Sequence, residues 1–217
     1  MSRPKGPAWP GTFLLATRNP KKGRELQRLL KGLNLRVVTL GRFPGIPLVR
    51  EDKPTLRGNA VKKAVQASRH TGLPVLADDS GLEVRALGGA PGVRSARYAG
   101  PAQDERANVA KLLHRMRELP PSRRRARFVC VLALARKGRL LRAFQGVCEG
   151  SIARAPAGRT GFGYDPVFIP RGRRKRLAEL GPEVKDRLSH RTRAIGAFAR
   201  WLRKAPSRAP GGWRSAR

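Results

Sequence analysis

The stretch PVLADDSGLEVRALGGAPGVRSARYAG, residues 74–100, places two adjacent carboxylates between an apolar run and a series of glycines. The apolar residues 74–77 predict a strand that ends at Asp78 and Asp79, with a turn at Ser80-Gly81. Residues 82–86 alternate apolar and polar side chains, which predicts a second, half-buried strand. At a strand end both carboxylates can approach one region, where one could ligate Mg²⁺ or activate water. A plain Asx turn explains the same residues equally well.

The rest of the 217-residue chain alternates strand-like and helix-like segments. Apolar runs predict strands at 13–16 and 35–40 and two or three antiparallel strands within 126–154, joined by a turn at Lys137-Gly138. Helical spacing predicts helices that begin near Pro20, Thr55 and Gln103, and a last helix whose N-cap is Ser189. We therefore expect an α/β fold with a mixed β-sheet flanked by helices. Its domain would span 12–204, between flexible basic tails at 1–11 and 205–217.

Composition limits the class of protein. A hydrophobic content of 40 % supports one sizeable core without disulfides. No apolar run is long enough to span a bilayer, which favours a cytoplasmic protein with no membrane partner. Cys130 and Cys148 lack the spacing of a zinc site, so we expect both to be buried, reduced thiols.

The charge of the chain is extreme. There are 48 Lys and Arg residues against 14 Asp and Glu, a formal net charge of +34. Such a surface attracts polyanions, and both nucleoside triphosphates and nucleic acids belong to that class. Because the arginines occur in nearly every segment, a solvated basic surface with nonspecific nucleic-acid association is favoured over a dedicated binding groove.

The loop after the first strand contains a cluster of polar and basic residues. Thr17, Arg18, Asn19, Lys21 and Lys22 lie where a strand passes into a helix, so the helix N-terminus and two ammonium groups form a natural seat for phosphate. The pattern is not a P-loop. On spacing alone, a capped helix with solvent-exposed lysines is the slightly favoured interpretation.

Two further clusters lie in the C-terminal third. In GRTGFGYDPVFIP, the ring of Phe162 could stack on a nucleobase, or it could be a core aromatic. In SHRTRA, His190 and Arg191 occupy the first turn of the last helix, where basic residues oppose the helix macrodipole by roughly 0.3–1 kcal/mol each. That placement indicates a binding role for these donors, together with Lys185.

These clusters occur in an order that closely resembles the Ham1/RdgB family of inosine triphosphate pyrophosphatases. The matching segments are LLATRNPKKGREL, GNAVKKA, LADDSGLEV with LGGAPGVRSARYAG, GFGYDPVF and SHRTRA. The resemblance implies Mg²⁺-dependent hydrolysis of noncanonical purine nucleoside triphosphates (ITP, dITP and XTP) to the monophosphate and pyrophosphate. It also implies an elongated α/β fold with two lobes around a central cleft, and a homodimer.

Residue roles follow from the same resemblance. Asp79 resembles the general base or metal-linked carboxylate, with Asp78 beside it, and Glu51 matches a second metal-associated carboxylate. The residues that the resemblance assigns to substrate binding are Thr17, Arg18, Asn19, Pro20, Lys21, Lys22, Lys63, Ser80, Phe162, Gly163, Tyr164, Asp165, Lys185, His190 and Arg191.

The sequence also departs from the family pattern. Gly58 stands where the family commonly has Glu, which removes one carboxylate near the expected metal site, and Arg18 and Lys21 replace frequent glycines. Two alternatives to the main hypothesis are a Maf-type nucleotide pyrophosphatase with pyrimidine preference and a basic nucleic-acid-binding protein. The SHR and FGYD segments argue against the first, and the charge motivates the second.

Overall fold

The computed structural model describes residues 11–33 and 35–204, so the predicted basic tails lie outside the described residues apart from Gly11. The described chain contains six strands and five α-helices. In chain order they are β1 (Thr12–Leu15), α1 (Pro20–Leu30), β2 (Arg36–Thr39), α2 (Leu56–Arg69), β3 (Val75–Val84), α3 (Glu105–Arg115), β4 (Arg125–Arg136), β5 (Arg139–Ile152), β6 (Phe168–Pro170), α4 (Leu177–Leu188) and α5 (His190–Lys204).

The strands form one mixed sheet in the order β2-β1-β3-β4-β5-β6. Strand β1 is parallel to both of its neighbours, whereas β3, β4, β5 and β6 pair antiparallel. The β4–β5 hairpin turns at Lys137-Gly138, where both residues have positive φ, 49° and 75°. The predicted α/β fold, its mixed sheet and its antiparallel hairpin are therefore confirmed.

The predicted end of a strand at Asp78-Asp79 is wrong. Strand β3 continues through Asp78, Asp79, Ser80 and Gly81, each of which lies in register with a residue of β4. A Cβ at Gly81 would lie 2.4 Å from the carbonyl oxygen of Gly92, so only glycine allows this close backbone approach. The ladder of interior backbone hydrogen bonds prevails over the local preference for an Asx turn, and the predicted second strand is the end of β3.

Helices cover both faces of the sheet. Helix α2 packs on one face, where Val75 and Ala77 of β3 join its core. Helices α1 and α5 pack on the other face, against Leu76. A third apolar cluster, under α3 and α4, includes Leu82 and Val84. Because side chains of a strand alternate between faces, this packing fixes the directions of the two aspartates that follow Ala77.

Side-chain caps begin the helices near the site. The Asn19 carboxamide oxygen accepts from the N–H groups of Lys21 and Lys22, both at 3.0 Å. The Ser189 hydroxyl accepts from Thr192 N at 3.1 Å, which confirms the predicted N-cap of α5. Helix α4 was not predicted, because Gly181 (φ 76°) and Pro182 interrupt its pattern.

Two expectations from composition also have outcomes. Cys130 and Cys148 are buried free thiols, as predicted, and burial raises the pKa of Cys130 to about 12. None of the helices in the described part of the chain combines the length and apolarity needed to cross a bilayer.

Candidate active site

A cleft of about 680 Å³, its open mouth included, lies on the sheet face that carries α1 and α5. Its walls bring together segments that are far apart in the sequence. The residues that line it are Asn19, Lys22, Ser80, Gly81, Leu82, Ser95, Ala96, Gln103, Glu105, Asn108, Phe128, Phe162, Gly163, Tyr164, Asp165, Lys185, His190 and Arg191.

Asp78 points to the cleft side of the sheet but lies beneath the lining residues, only 1 % exposed. Its carboxylate is 3.5 Å from Lys22 Nζ and 3.9 Å from Arg191 Nε, and it accepts a hydrogen bond from the Ser80 hydroxyl at 3.0 Å. Burial by itself would raise the pKa of Asp78. The nearby cations, Lys22 and Arg191 foremost, outweigh burial and lower that pKa to about 2.

Asp79 points to the opposite face, toward α2. Its Oδ1 is 3.3 Å from Lys63 Nζ, which also contacts Glu51 Oε1 at 2.6 Å. Burial raises the pKa of Asp79 despite the opposing charge of Lys63, so this carboxylate is a stronger base than an ordinary aspartate. Its Oδ2 is buried and has no hydrogen-bond partner among the described residues. The two adjacent aspartates therefore point to opposite sides of one strand, and Asp79 does not line the cleft, although the charges of Lys22 and Lys63 act to lower the pKa of both carboxylates.

Glu51 and Asp79 are the carboxylates available to a cation on this side. In the described residues there is no group of three or more His, Cys, Asp or Glu side chains arranged to hold a metal ion. Gly58, the departure from the family pattern, lies in the first turn of α2. A Cβ there would lie 2.8 Å from Cβ of Lys53, so a larger residue at this position requires the preceding loop to move.

The loop before α1 divides its side chains between the cleft and its surroundings. Asn19 and Lys22 line the cleft. Arg18 instead donates to the carbonyl oxygen of Ile46 at 2.8 Å, and Lys21 pairs with Glu105 at 2.8 Å. Pro20 is the first residue of α1, and the Thr17 hydroxyl accepts from Asn19 N at 3.3 Å. The capped helix is present, and of the two lysines that the sequence suggested for a phosphate seat, Lys22 lines the cleft and Lys21 does not.

The aromatic segment combines a core residue with a ring at the cleft. Tyr164 is 5 % exposed, packs in the core and donates its hydroxyl to Ser95 O at 2.9 Å. Phe162 and Gly163 line the cleft, and Asp165 Oδ2 accepts from Phe162 N at 2.9 Å. This hydrogen bond fixes the loop that presents the Phe162 ring.

Lys185 and Arg191 are buried on one side of that ring. Lys185 Nζ lies 4.4 Å and Arg191 Cζ 5.2 Å from the Phe162 ring centroid, distances typical of cation–π contacts. The side chain of Lys185 contacts Asp165 at 2.6 Å. These contacts attach the ring, α4 and α5 to one another at the cleft.

The first turn of α5 is less basic than the sequence indicated. His190 is 2 % exposed and stacks on Phe128, with ring centroids 4.8 Å apart at 12°. Burial, reinforced by Arg191 and Lys185, lowers its pKa well below the ordinary value, so the imidazole is neutral. Arg191 remains charged and pairs with Glu25 at 3.3 Å. The sequence predicted a macrodipole penalty from two charges. Only Arg191 carries a charge here, and that charge is paired with Glu25.

Sequence reasoning missed Glu25 and the wall formed by Ser95, Gln103 and Asn108. Glu25 lies two turns into α1, at 4 % exposure, where a lone acid in a basic helix resembles a surface residue. Its one sequence signal was its place in the GREL segment, after the two lysines.

Comparison with known proteins decides the family. The Ham1 family model matches residues 13–201. The chain belongs to the Ham1 family. Ham1 relatives named dITP/XTP pyrophosphatase include one from Desulforamulus reducens, 48 % identical over 84 % of this chain and 91 % of its own, and one from Thermus thermophilus, 48 % identical over 89 % and 92 %. A Ham1 protein from Coxiella burnetii has a similar structure, with a TM-score of 0.81 at 40 % identity, covering 89 % of this chain and 99 % of its own.

Proposed function

We propose that this Ham1-family chain hydrolyses noncanonical purine nucleoside triphosphates, namely ITP, dITP and XTP, to the nucleoside monophosphate and pyrophosphate. The observation that carries the proposal is a pair of unpartnered groups among the cleft residues. Arg191 Nε and His190 Nδ1 are both buried without a hydrogen-bond partner among the described residues, since the Asp78 carboxylate lies 3.9 Å from Arg191 Nε, beyond hydrogen-bond distance. A buried donor without a partner is costly, and a ligand acceptor would satisfy it.

A purine base in the cleft would account for the two unpartnered groups on Arg191 and His190. Hypoxanthine and xanthine carry a keto oxygen at the six-position, which can accept from Arg191, whereas adenine carries an amino group that cannot. A site built to hydrogen-bond a substrate group can reject an analogue that lacks it by roughly 10⁴–10⁵. In this proposal Phe162 contacts the base, and Gly163, Tyr164, Asp165 and Lys185 hold the wall around it.

The triphosphate would extend toward the N-terminus of α1. Lys22, Asn19 and Ser80 line the cleft there, and the Thr17 hydroxyl accepts from Asn19 N. Lys63, whose charge acts on both Asp78 and Asp79, would neutralise phosphate charge from the Asp79 side of β3. Arg18, Pro20 and Lys21 support this end of the cleft, since the side chains of Arg18 and Lys21 are engaged elsewhere. Phosphoryl transfer depends mainly on positioning and charge neutralisation, which these groups can supply.

Asp79 is proposed as the general base that orients the attacking water, and Asp78 as the buried group that positions Lys22 and Arg191. The raised pKa of Asp79 makes it a better proton acceptor than an ordinary aspartate. Asp79 and Glu51 would also hold Mg²⁺, because two carboxylates with substrate phosphates suffice for this ion and Asp79 Oδ2 is free. When bound, Mg²⁺ would neutralise phosphate charge.

Substrate competition tests the proposed base preference. In a mixture of dITP with dTTP and UTP, we expect the protein with Mg²⁺ to consume dITP first. Faster consumption of dTTP or UTP would instead favour the Maf-type alternative. Repeating the assay with Arg191→Met should slow dITP hydrolysis. The matched variant Arg28→Met, which removes an arginine from an exposed ion pair with Asp186 on the same side of the molecule, should have little effect.

A second candidate activity, association with RNA, is favoured by two neighbouring basic loops. Residues 171–176 contain five Lys or Arg residues. Arg154 and Arg159 lie on a neighbouring loop. Arg176 connects the two loops, because its side chain donates a hydrogen bond to Ala155 O at 3.0 Å. Each phosphate contact to single-stranded RNA should contribute about −0.7 to the slope of log K against log salt. We expect a smaller slope when four basic residues of this loop are changed to Gln, namely Arg171, Arg173, Arg174 and Lys175. An unchanged slope would contradict this assignment. Deletion of both tails should leave catalysis intact.

A homodimer in the cytoplasm completes the proposal. Leu140 and Leu141, at the start of β5, are 37 % and 44 % exposed, and Leu48 is 76 % exposed, so the surface carries large apolar side chains that a second copy could cover. Light scattering should give twice the chain mass, and a mass equal to one chain would contradict this state.

A further inference from the structure

The base end of the cleft rests on a continuous chain of alternating charges. Lys185 contacts Asp165 at 2.6 Å and Glu25 at 3.4 Å. Arg191 contacts the same Glu25 oxygen at 3.3 Å and lies 3.9 Å from Asp78. Lys22, 3.5 Å from Asp78, ends the chain.

This chain is balanced, with three carboxylates facing three cations. Apart from Lys22, its members are at most 5 % exposed, so water screens their charges little. His190, which lies beside Arg191, is neutral and adds no charge. The buried wall next to the proposed base site therefore carries no net charge, and an unbalanced charge introduced there would act strongly on a ligand.

Loss of any one of these carboxylates would leave one uncompensated positive charge, and Glu25 is the carboxylate between Lys185 and Arg191, the two cations at the Phe162 ring. It lies at the centre of the chain, where one oxygen, Oε2, serves both Lys185 and Arg191. Its other oxygen, Oε1, is buried without a hydrogen-bond partner among the described residues. Oε2 accepts a hydrogen bond from Arg191 Nη1, but because Oε1 has no such partner, the carboxylate acts chiefly as a charge between two cations.

We infer that Glu25 is a specificity-determining positioning residue, which sets the preference of the cleft between neutral and anionic purines. The inference rests on the proposed function and deepens it. The two candidate bases differ in charge, because xanthine loses a ring proton near neutral pH whereas hypoxanthine stays neutral. With Glu25 ionised, the wall is balanced and accepts the neutral base. Without that charge, the wall becomes net positive and attracts the xanthine anion.

The test is the substitution Glu25→Gln, which removes the charge and keeps the shape. At a pH above the ionisation of xanthine, we expect the ratio of kcat/KM for XTP to that for ITP to rise by about tenfold, equivalent to about 1.4 kcal/mol. The change should lie mainly in KM, since it concerns binding of the base. Glu25→Asp, which restores the charge, should return the ratio toward that of the wild type.

Asp186→Asn is the matched control. Asp186 pairs with Arg28, so this variant also removes a carboxylate from a contact between α1 and α4, but on the surface. It should leave the ratio unchanged. Asp165→Asn, which unbalances the same chain from its end, should raise the ratio in the same direction and replaces Glu25→Gln if that variant does not fold.

The outcomes separate the inference from the function on which it rests. A ratio that stays within twofold of the wild type, or equal losses on both substrates, would overturn the role of Glu25. A wild-type protein that cleaves neither triphosphate would refute the proposed function instead. The affinities of IMP and XMP, measured by calorimetry on the same variants, would then decide whether the charge balance governs the choice of base.

Discussion

Asp78 provides the sharpest link between structure and stability. The substitution Asp78→Asn removes a charge that lies between Lys22 and Arg191 and preserves the size of the side chain. Removing one member of a buried ion pair typically destabilises a protein by about 3–5 kcal/mol, because the remaining charge is left without compensation. We therefore expect a large loss of stability from a change that creates no cavity.

The pKa of Asp78 gives a second estimate of its contribution to the free energy of unfolding. In the folded protein the pKa of Asp78 is about 2, against about 3.9 for an aspartate in an unfolded chain. A lowered pKa stabilises the fold above the unfolded-state value, and that contribution disappears as the pH falls toward about 2. The difference corresponds to about 2.5 kcal/mol at neutral pH.

Urea denaturation of wild type and Asp78→Asn across this pH range measures the effect. The wild type should be more stable by about 2.5 kcal/mol or more at neutral pH, and the gap should narrow as the pH falls through 3.9 toward about 2. Asp52→Asn, which removes an exposed partner of Lys62, should change stability little at any pH. A gap that is absent at neutral pH, or that widens in acid, would refute the assigned charge state of Asp78.

Four other predictions concern Asp79, Gly146 and Cys130. Asp79→Asn should lower kcat by about 10²–10⁴ with KM nearly unchanged, and turnover within tenfold of the wild type would exclude it as the base. In the wild type, kcat/KM should fall as the solution is acidified, and the fall should begin at a higher pH than for an ordinary aspartate, because the pKa of Asp79 is raised. Gly146→Ala would place a Cβ 2.1 Å from His190 O and should lower the free energy of unfolding by about 1–3 kcal/mol or more, measured in urea. Cys130 should resist thiol reagents until the protein unfolds, because burial raises its pKa to about 12; rapid labelling of the native protein would contradict this.

The sequence predicted most of the fold, because each element has local signals. Helical spacing, N-caps such as Ser189 and the turn at Lys137-Gly138 are readable without tertiary context. The continuous course of β3 was not readable, because Asp-Asp-Ser-Gly favours a turn locally and only pairing with β4 holds it extended. Helix α4 was hidden by a Gly-Pro interruption that the packed structure tolerates.

Ten of the residues predicted for the site line the cleft, but their geometry could not be read from the sequence. Adjacent positions suggested that Asp78 and Asp79 act together, but strand alternation sends them to opposite faces. The neutral state of His190 depends on burial against Phe128, and the role of Glu25 depends on contacts with α4 and α5. None of these long-range contacts has a signature in the sequence.

The products of ITP hydrolysis test the proposed activity most directly. Purified full-length protein, incubated with ITP and Mg²⁺, should release IMP and pyrophosphate in equal amounts, as separated by ion-exchange chromatography. Release of IDP and orthophosphate, or no hydrolysis at all, would contradict the proposed cleavage between the α and β phosphates.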